Sequence, residues 1–150
     1  MLKKLEHNRF NIIFENAGAV VYHINDIFVF LSEHASMNKL QTSVLSDLKD
    51  DIVFQEILVL AVLGKIVTGP FLRLVDSKTV ATHILDLNQY FLQLQINLKH
   101  WSKDPNDLLS SDTNLFPEFP PLKDEIFNSI FASSELTDEN DVIIESSSLL

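Results

Sequence analysis

The chain has 150 residues, no cysteine, and a formal net charge of −10 from 21 acidic and 11 basic side chains. At about 100–200 residues per domain that length makes one folded domain, and an apolar share of 46% is enough for a core. Three glycines and five prolines exclude collagen-like, glycine-rich and turn-dense all-β designs. The missing cysteines exclude a disulfide framework and a thiolate zinc site, and they fit a reducing, intracellular setting, nuclear or cytoplasmic.

From Arg9 to about Leu31 the apolar residues Phe10, Ile13, Phe14, Ala17, Val20, Val21, Ile24, Ile27, Phe28 and Leu31 advance in steps of three and four. That spacing predicts one helix with one buried face. Leu40, Val44, Leu45 and Leu48 mark a short second helix. Asp50 and Asp51 supply an N-cap and a first-turn carboxylate for a third over Ile52–Val67, because carboxylates satisfy the unpaired N–H groups of a helix start. The uninterrupted apolar run Ile57–Gly64 is flanked by Glu56 and Lys65, short of the roughly 20 residues of a membrane span, so no membrane partner is expected. Thr68-Gly69-Pro70 predicts a kink or stop there, with a short continuation over Phe71–Val75; proline lacks a donor and its ring crowds the preceding turn.

Ile84, Leu87, Phe91, Leu94, Leu98 and Trp101 then repeat at 3, 4, 3, 4, 3, the seam of nearly three heptads. This seam is a candidate association surface, with packing inside the domain as the favoured use. Pro105, Pro117, Pro120 and Pro121 make 103–121 a Pro-rich strap whose Leu108, Leu109, Leu115, Phe116 and Phe119 dock on the helices. Pro121 suits the first turn of a last helix, with Asp124 and Glu125 at its positive end and Leu122, Ile126, Phe127, Ile130 and Phe131 on its buried face. After Ala132 the sequence holds Glu135, Asp138, Glu139, Asp141 and Glu145 and no basic residue, which predicts a disordered tail. The expectation is therefore an all-α, irregular bundle of about five helices over 1–132, with an acidic tail over 133–150.

Chemistry-bearing patterns are sparse. His23 with Asp26, and His83 with Asp86, stand three residues apart, but neither pair has a third ligand nearby, whereas a zinc site takes three or four. No serine lies in a Gly-x-Ser-x-Gly elbow, and no phosphate-cradling glycine loop is present. Asp50-Asp51 and Asp124-Glu125 are read as helix-start carboxylates. Catalytic, cofactor and metal residues are accordingly assigned as none. Lys3, Lys4 and Arg9 form the one local basic cluster and are the candidate DNA contacts. The tail carries five of the excess acids, and the body carries 16 acids against 11 bases, with no sustained basic patch to favour phosphate. Protein association is favoured over nucleic acid as the partner.

Several segments together resemble transposon-derived animal proteins related to hAT transposases. These are Asn8-Arg9-Phe10-Asn11-Ile12-Ile13-Phe14 with Ala17, then Tyr22-His23, Asp26-Ile27 and Phe30-Leu31. Leu63 to Arg73, Ile84-Leu85-Asp86-Leu87-Asn88 with Tyr90, and Trp101 with Asp104 and Leu108-Leu109 are similar to later parts of the same proteins. In that superfamily an RNase H-like core holds metal ions on two Asp and one Glu, with a helical domain inserted before the Glu. Arg9-Phe10 is similar to the Arg-Trp pair that opens the insertion, with Phe in place of Trp, and the rest of the chain resembles the insertion itself. No strand-rich segment precedes Arg9 to deliver the two Asp, no position here corresponds to the Glu, and a BED-type zinc finger needs cysteine. The resemblance implies a catalytically inactive, transposase-derived helical domain that serves interaction or assembly, with a weakly DNA-contacting fragment as the alternative.

Overall fold

A computed structural model describes residues 9–34, 38–77 and 84–132. Among these the protein is all-α, with no strand. The helices are α1 (Arg9–Tyr22), α2 (Ile24–His34), α3 (Lys39–Leu48), α4 (Asp51–Leu63), α5 (Gly69–Asp76), α6 (Asn88–Trp101) and α7 (Asn106–Leu109), followed by α8 over 125–132. The expected five helices are thus too few: the helix expected over 9–31 is divided in two, and the continuation after Gly69-Pro70 (α5) and the turn at Leu108 in the strap (α7) are helical elements of their own. Lys3, Lys4, His83 and the acidic tail lie outside the described residues.

The single helix expected over 9–31 turns at His23 into α1 and α2. The ladder bridges the turn through His23 N–H to the Ala19 carbonyl (3.0 Å) and Ile27 N–H to the His23 carbonyl (2.9 Å). Caps fix the next starts: the Asn38 side chain accepts from Leu40 N–H, and Asp50 accepts from Ile52 and Val53 N–H. The α2–α3 hairpin contributes little to the core, since Leu31 is the buried residue of α2 and α3 has none.

Of the kink or stop expected at Thr68-Gly69-Pro70, the stop does not occur, and the short continuation does. A π-turn over Gly64–Thr68 joins α4 to α5, so helix runs from Asp51 to Asp76. The Gly64 carbonyl accepts both Gly69 N–H and the Thr68 hydroxyl, and this wide turn accommodates the missing donor of Pro70. It also keeps one face buried. Leu58, Val62, Ile66, Pro70 and Leu74 are all buried at intervals of four, and in a regular helix each such interval overshoots a full turn by about 40°. Sixteen residues would drift about 160°, wider than an apolar stripe of about 100°. An i→i+5 turn inserts about one residue, or 100°, and returns most of that drift.

Joined in this way, Asp51–Asp76 is long and apolar enough to cross a membrane by length and composition, which corrects the shorter estimate from the uninterrupted run. Its two cations, Lys65 and Arg73, are both engaged by the segment 119–124.

α1 packs along α4 and the π-turn, where Gly64 permits the approach: a Cβ there would lie 3.1 Å from Phe14 Cβ and 3.3 Å from the Phe14 carbonyl oxygen. The core gathers Ala17 and Val21 of α1, Leu58, Ala61 and Val62 of α4, Ile66, Leu74, and Phe127, Ile130 and Phe131 of α8. In the strap, Leu115 and Phe116 are fully buried. Phe116 meets Tyr90 edge-on with ring centroids 5.6 Å apart and tilts against Phe71 at 6.3 Å. Strap carbonyls are satisfied by side chains: Gln93 Nε2 donates to the Leu115 carbonyl (2.8 Å), and Arg73 Nη2 donates to those of Phe119 and Pro120. α8 begins at 125 rather than at Pro121, and Leu122, expected on its buried face, precedes it and is exposed.

Candidate functional site

The structure divides the candidate seam. Ile84 and Leu87 belong to a 3-10 turn (Ile84–Leu87) ahead of α6. Leu87 and Trp101 are buried, Leu94 packs partly buried against the core, and Phe91 and Leu98 remain 45% and 46% exposed. The row facing inward is instead Leu87, Tyr90, Leu94 and Trp101. Tyr90 takes the place of Phe91 because the strap brings Phe116 against its ring. On the outer side of α6, Leu92 and Ile96 stand one turn apart and are 52% and 67% exposed. Phe91, Leu94, Gln95, Leu98, Lys99 and Ser102 line a groove of about 320 Å³ along the same helix.

A larger cleft, of about 650 Å³, opens between α1, the α4–α5 run and residues 122–126. Two adjacent carboxylates tie its walls. Asp124 accepts from Lys65 Nζ at 2.7 and 2.8 Å and from Phe127 N–H at 2.8 Å, so one side chain caps α8 and pins it to the π-turn. Glu125 accepts the Tyr22 hydroxyl at 2.9 Å and so reaches α1. Burial pushes the Asp124 carboxyl up, but the Lys65 ammonium and the Phe127 N–H outweigh it and hold the group below the usual carboxylate range. The Tyr22 phenol is raised, first by its hydrogen bond to Glu125 and then by that carboxylate's charge.

His23 Nδ1 lies 3.5 Å from Asp26, as the i, i+3 spacing allows. His100 Nε2 lies 2.6 Å from Asp107 and ties α7 to the end of α6. Among the described residues no three histidine or acidic groups come together to hold a metal ion. Asp50 and Asp124 both stand in capping geometry. Of the basic cluster, only the backbone of Arg9 is described, at the first position of α1.

Sequence reasoning missed the Lys65–Asp124 and Tyr22–Glu125 links, which join residues 59 and 103 apart. One signal was available: Lys65 and Arg73 interrupt an otherwise apolar run, and a cation in such a run needs a partner from elsewhere.

No protein-family model matches the chain, and no curated protein or solved structure matches it.

Proposed function

We propose that this chain is a non-catalytic, transposase-derived helical module that works by associating with another protein surface. The outer side of α6 carries the reading. Leu92 and Ile96 are more than half exposed beside the Phe91–Leu98 groove, and paired apolar side chains next to a groove are the anchor arrangement through which helices dock. The non-catalytic part is supported by the two groups whose titration is displaced among the described residues, Asp124 and Tyr22, since each is committed to a link between elements of the domain. The transposase origin rests on the residues that resemble the hAT insertion, a region that is likewise helical.

Sedimentation of the intact chain over the micromolar range tests the association. The expected result is a weight-average mass that rises above the 17.1 kDa of one chain, and that stays at the monomer value in the double variant Leu92→Glu, Ile96→Glu with unchanged circular dichroism. A wild-type monomer throughout that range overturns self-association through this face.

A further inference from the structure

The cleft beside α1 goes beyond an association role. Its volume of about 650 Å³ lies in the range of small-molecule sites, roughly 300–1,000 Å³. Carbon from Phe14, Pro70, Leu72 and Ile126 lines it, and its polar groups converge from three segments. Most of those groups are already matched within the protein. Asp124 is held by Lys65 and by Phe127 N–H, the Tyr22 hydroxyl by Glu125, and the Thr68 hydroxyl by the Gly64 carbonyl.

Arg73 differs from these. Its guanidinium carries five N–H donors in a planar fork, and among the described contacts one nitrogen, Nη2, is engaged, by the neutral carbonyls of Phe119 and Pro120. No carboxylate of the described residues pairs with it. Arg73 lines the cleft, and the strap carbonyls hold its Nη2 without neutralising its charge, so the cleft offers a cation to an anionic head group.

The choice of anion follows from the surroundings. Glu15, Asp124 and Glu125 also line the cleft, and their charge disfavours a phosphate of charge near −2 more than a carboxylate of −1. A carboxylate matches two donors of a guanidinium fork side by side, and the carbon walls suit an apolar body behind it. We propose that this cleft binds a small carboxylate with an apolar body, its head on Arg73 and its body along Phe14, Leu72 and Ile126.

Titration of the intact protein with octanoate, octanol and octylamine at low salt tests this, read by heteronuclear NMR. The three probes share one chain and differ in head charge. Octanoate is expected to bind saturably and about ten-fold more tightly than the other two, the worth of a charge-assisted hydrogen-bonding head. Shifts should centre on Leu72, Arg73 and Ala19, the last a small cleft-lining residue of α1. Arg73→Gln, which keeps amide donors for the strap carbonyls, is expected to bring octanoate down to the octanol level. Ala19→Phe, on α1, is expected to block all three by filling the cleft. Absence of saturable octanoate binding at millimolar concentration overturns the proposal, as does equal or tighter binding of octylamine, or octanoate binding that Ala19→Phe leaves intact.

Discussion

Lys65 of the π-turn and Asp124 at the start of α8 meet at 2.7 Å across 59 residues of sequence. The same carboxylate accepts Phe127 N–H, so a single side chain begins a helix and fastens it to another. Asp124→Asn removes the charge from both interactions. Asn keeps an accepting oxygen and caps about as well as Asp, so what is lost is the charge at the helix start, about 0.3–1 kcal/mol, and the half-exposed ion pair, at most about 1 kcal/mol. At about 2–4 °C per kcal/mol for a chain of this size, the melting temperature at neutral pH should fall by roughly 1–8 °C.

The acid dependence follows from the same carboxyl. Its folded pKa is lowered, so its stabilisation is complete above the ordinary carboxylate value and is lost as pH falls through the folded one. Wild type should therefore lose more stability than Asp124→Asn between pH about 5 and 2. Thermal melts of both proteins across that window check this, and parallel curves would contradict it.

At alkaline pH the Tyr22–Glu125 link gives the opposite sign. The folded phenol is raised above its ordinary value of 10.0, so its contribution is present below that value and is lost as pH rises through the folded one. Of the two tyrosines, only Tyr22 makes this bond. Spectrophotometric titration of tyrosinate in the wild type and in Tyr90→Phe should show Tyr22 ionising later than a free phenol, and Glu125→Gln should bring it back toward the ordinary value.

Two glycines should respond differently to alanine. At Gly64 a methyl meets the Cβ and backbone carbonyl of Phe14. The backbone cannot yield, and overpacking of about 1–3 kcal/mol outweighs a helix-propensity gain of about 1 kcal/mol. At Gly18 the nearest atom is Ile126 Cγ2 at 3.2 Å, a side-chain methyl that can move aside. Denaturant melts should show Gly64→Ala destabilised by up to about 2 kcal/mol, and Gly18→Ala unchanged or up to about 1 kcal/mol more stable.

Phe116→Ala tests how the strap is held. The ring is fully buried between Tyr90 and Phe71, and such truncations cost about 3–5 kcal/mol, which is roughly 6–20 °C here. Hydrogen exchange should quicken first in α6 around Gln93, whose side chain holds the Leu115 carbonyl.

What the sequence determined by itself was local. Apolar residues at three- and four-residue intervals specify helices because the helix period is 3.6, and the Asp50 cap is legible because its partners, Ile52 and Val53, are two and three residues away. Tertiary structure decided which apolar residues are covered and which groups meet. Phe91 and Tyr90 are neighbours on one helix, and only the arrival of Phe116 puts Tyr90 inside. Pro70 predicts a break, yet its burial beside Ile66 and Leu74 makes a π-turn the better outcome. Lys65 with Asp124, Tyr22 with Glu125, and Arg73 with the strap carbonyls carry no local pattern, because each joins positions at least 46 residues apart. Short-range spacing therefore settled the helical class, whereas the cleft and the exposed side of α6 exist only once those distant segments are brought together.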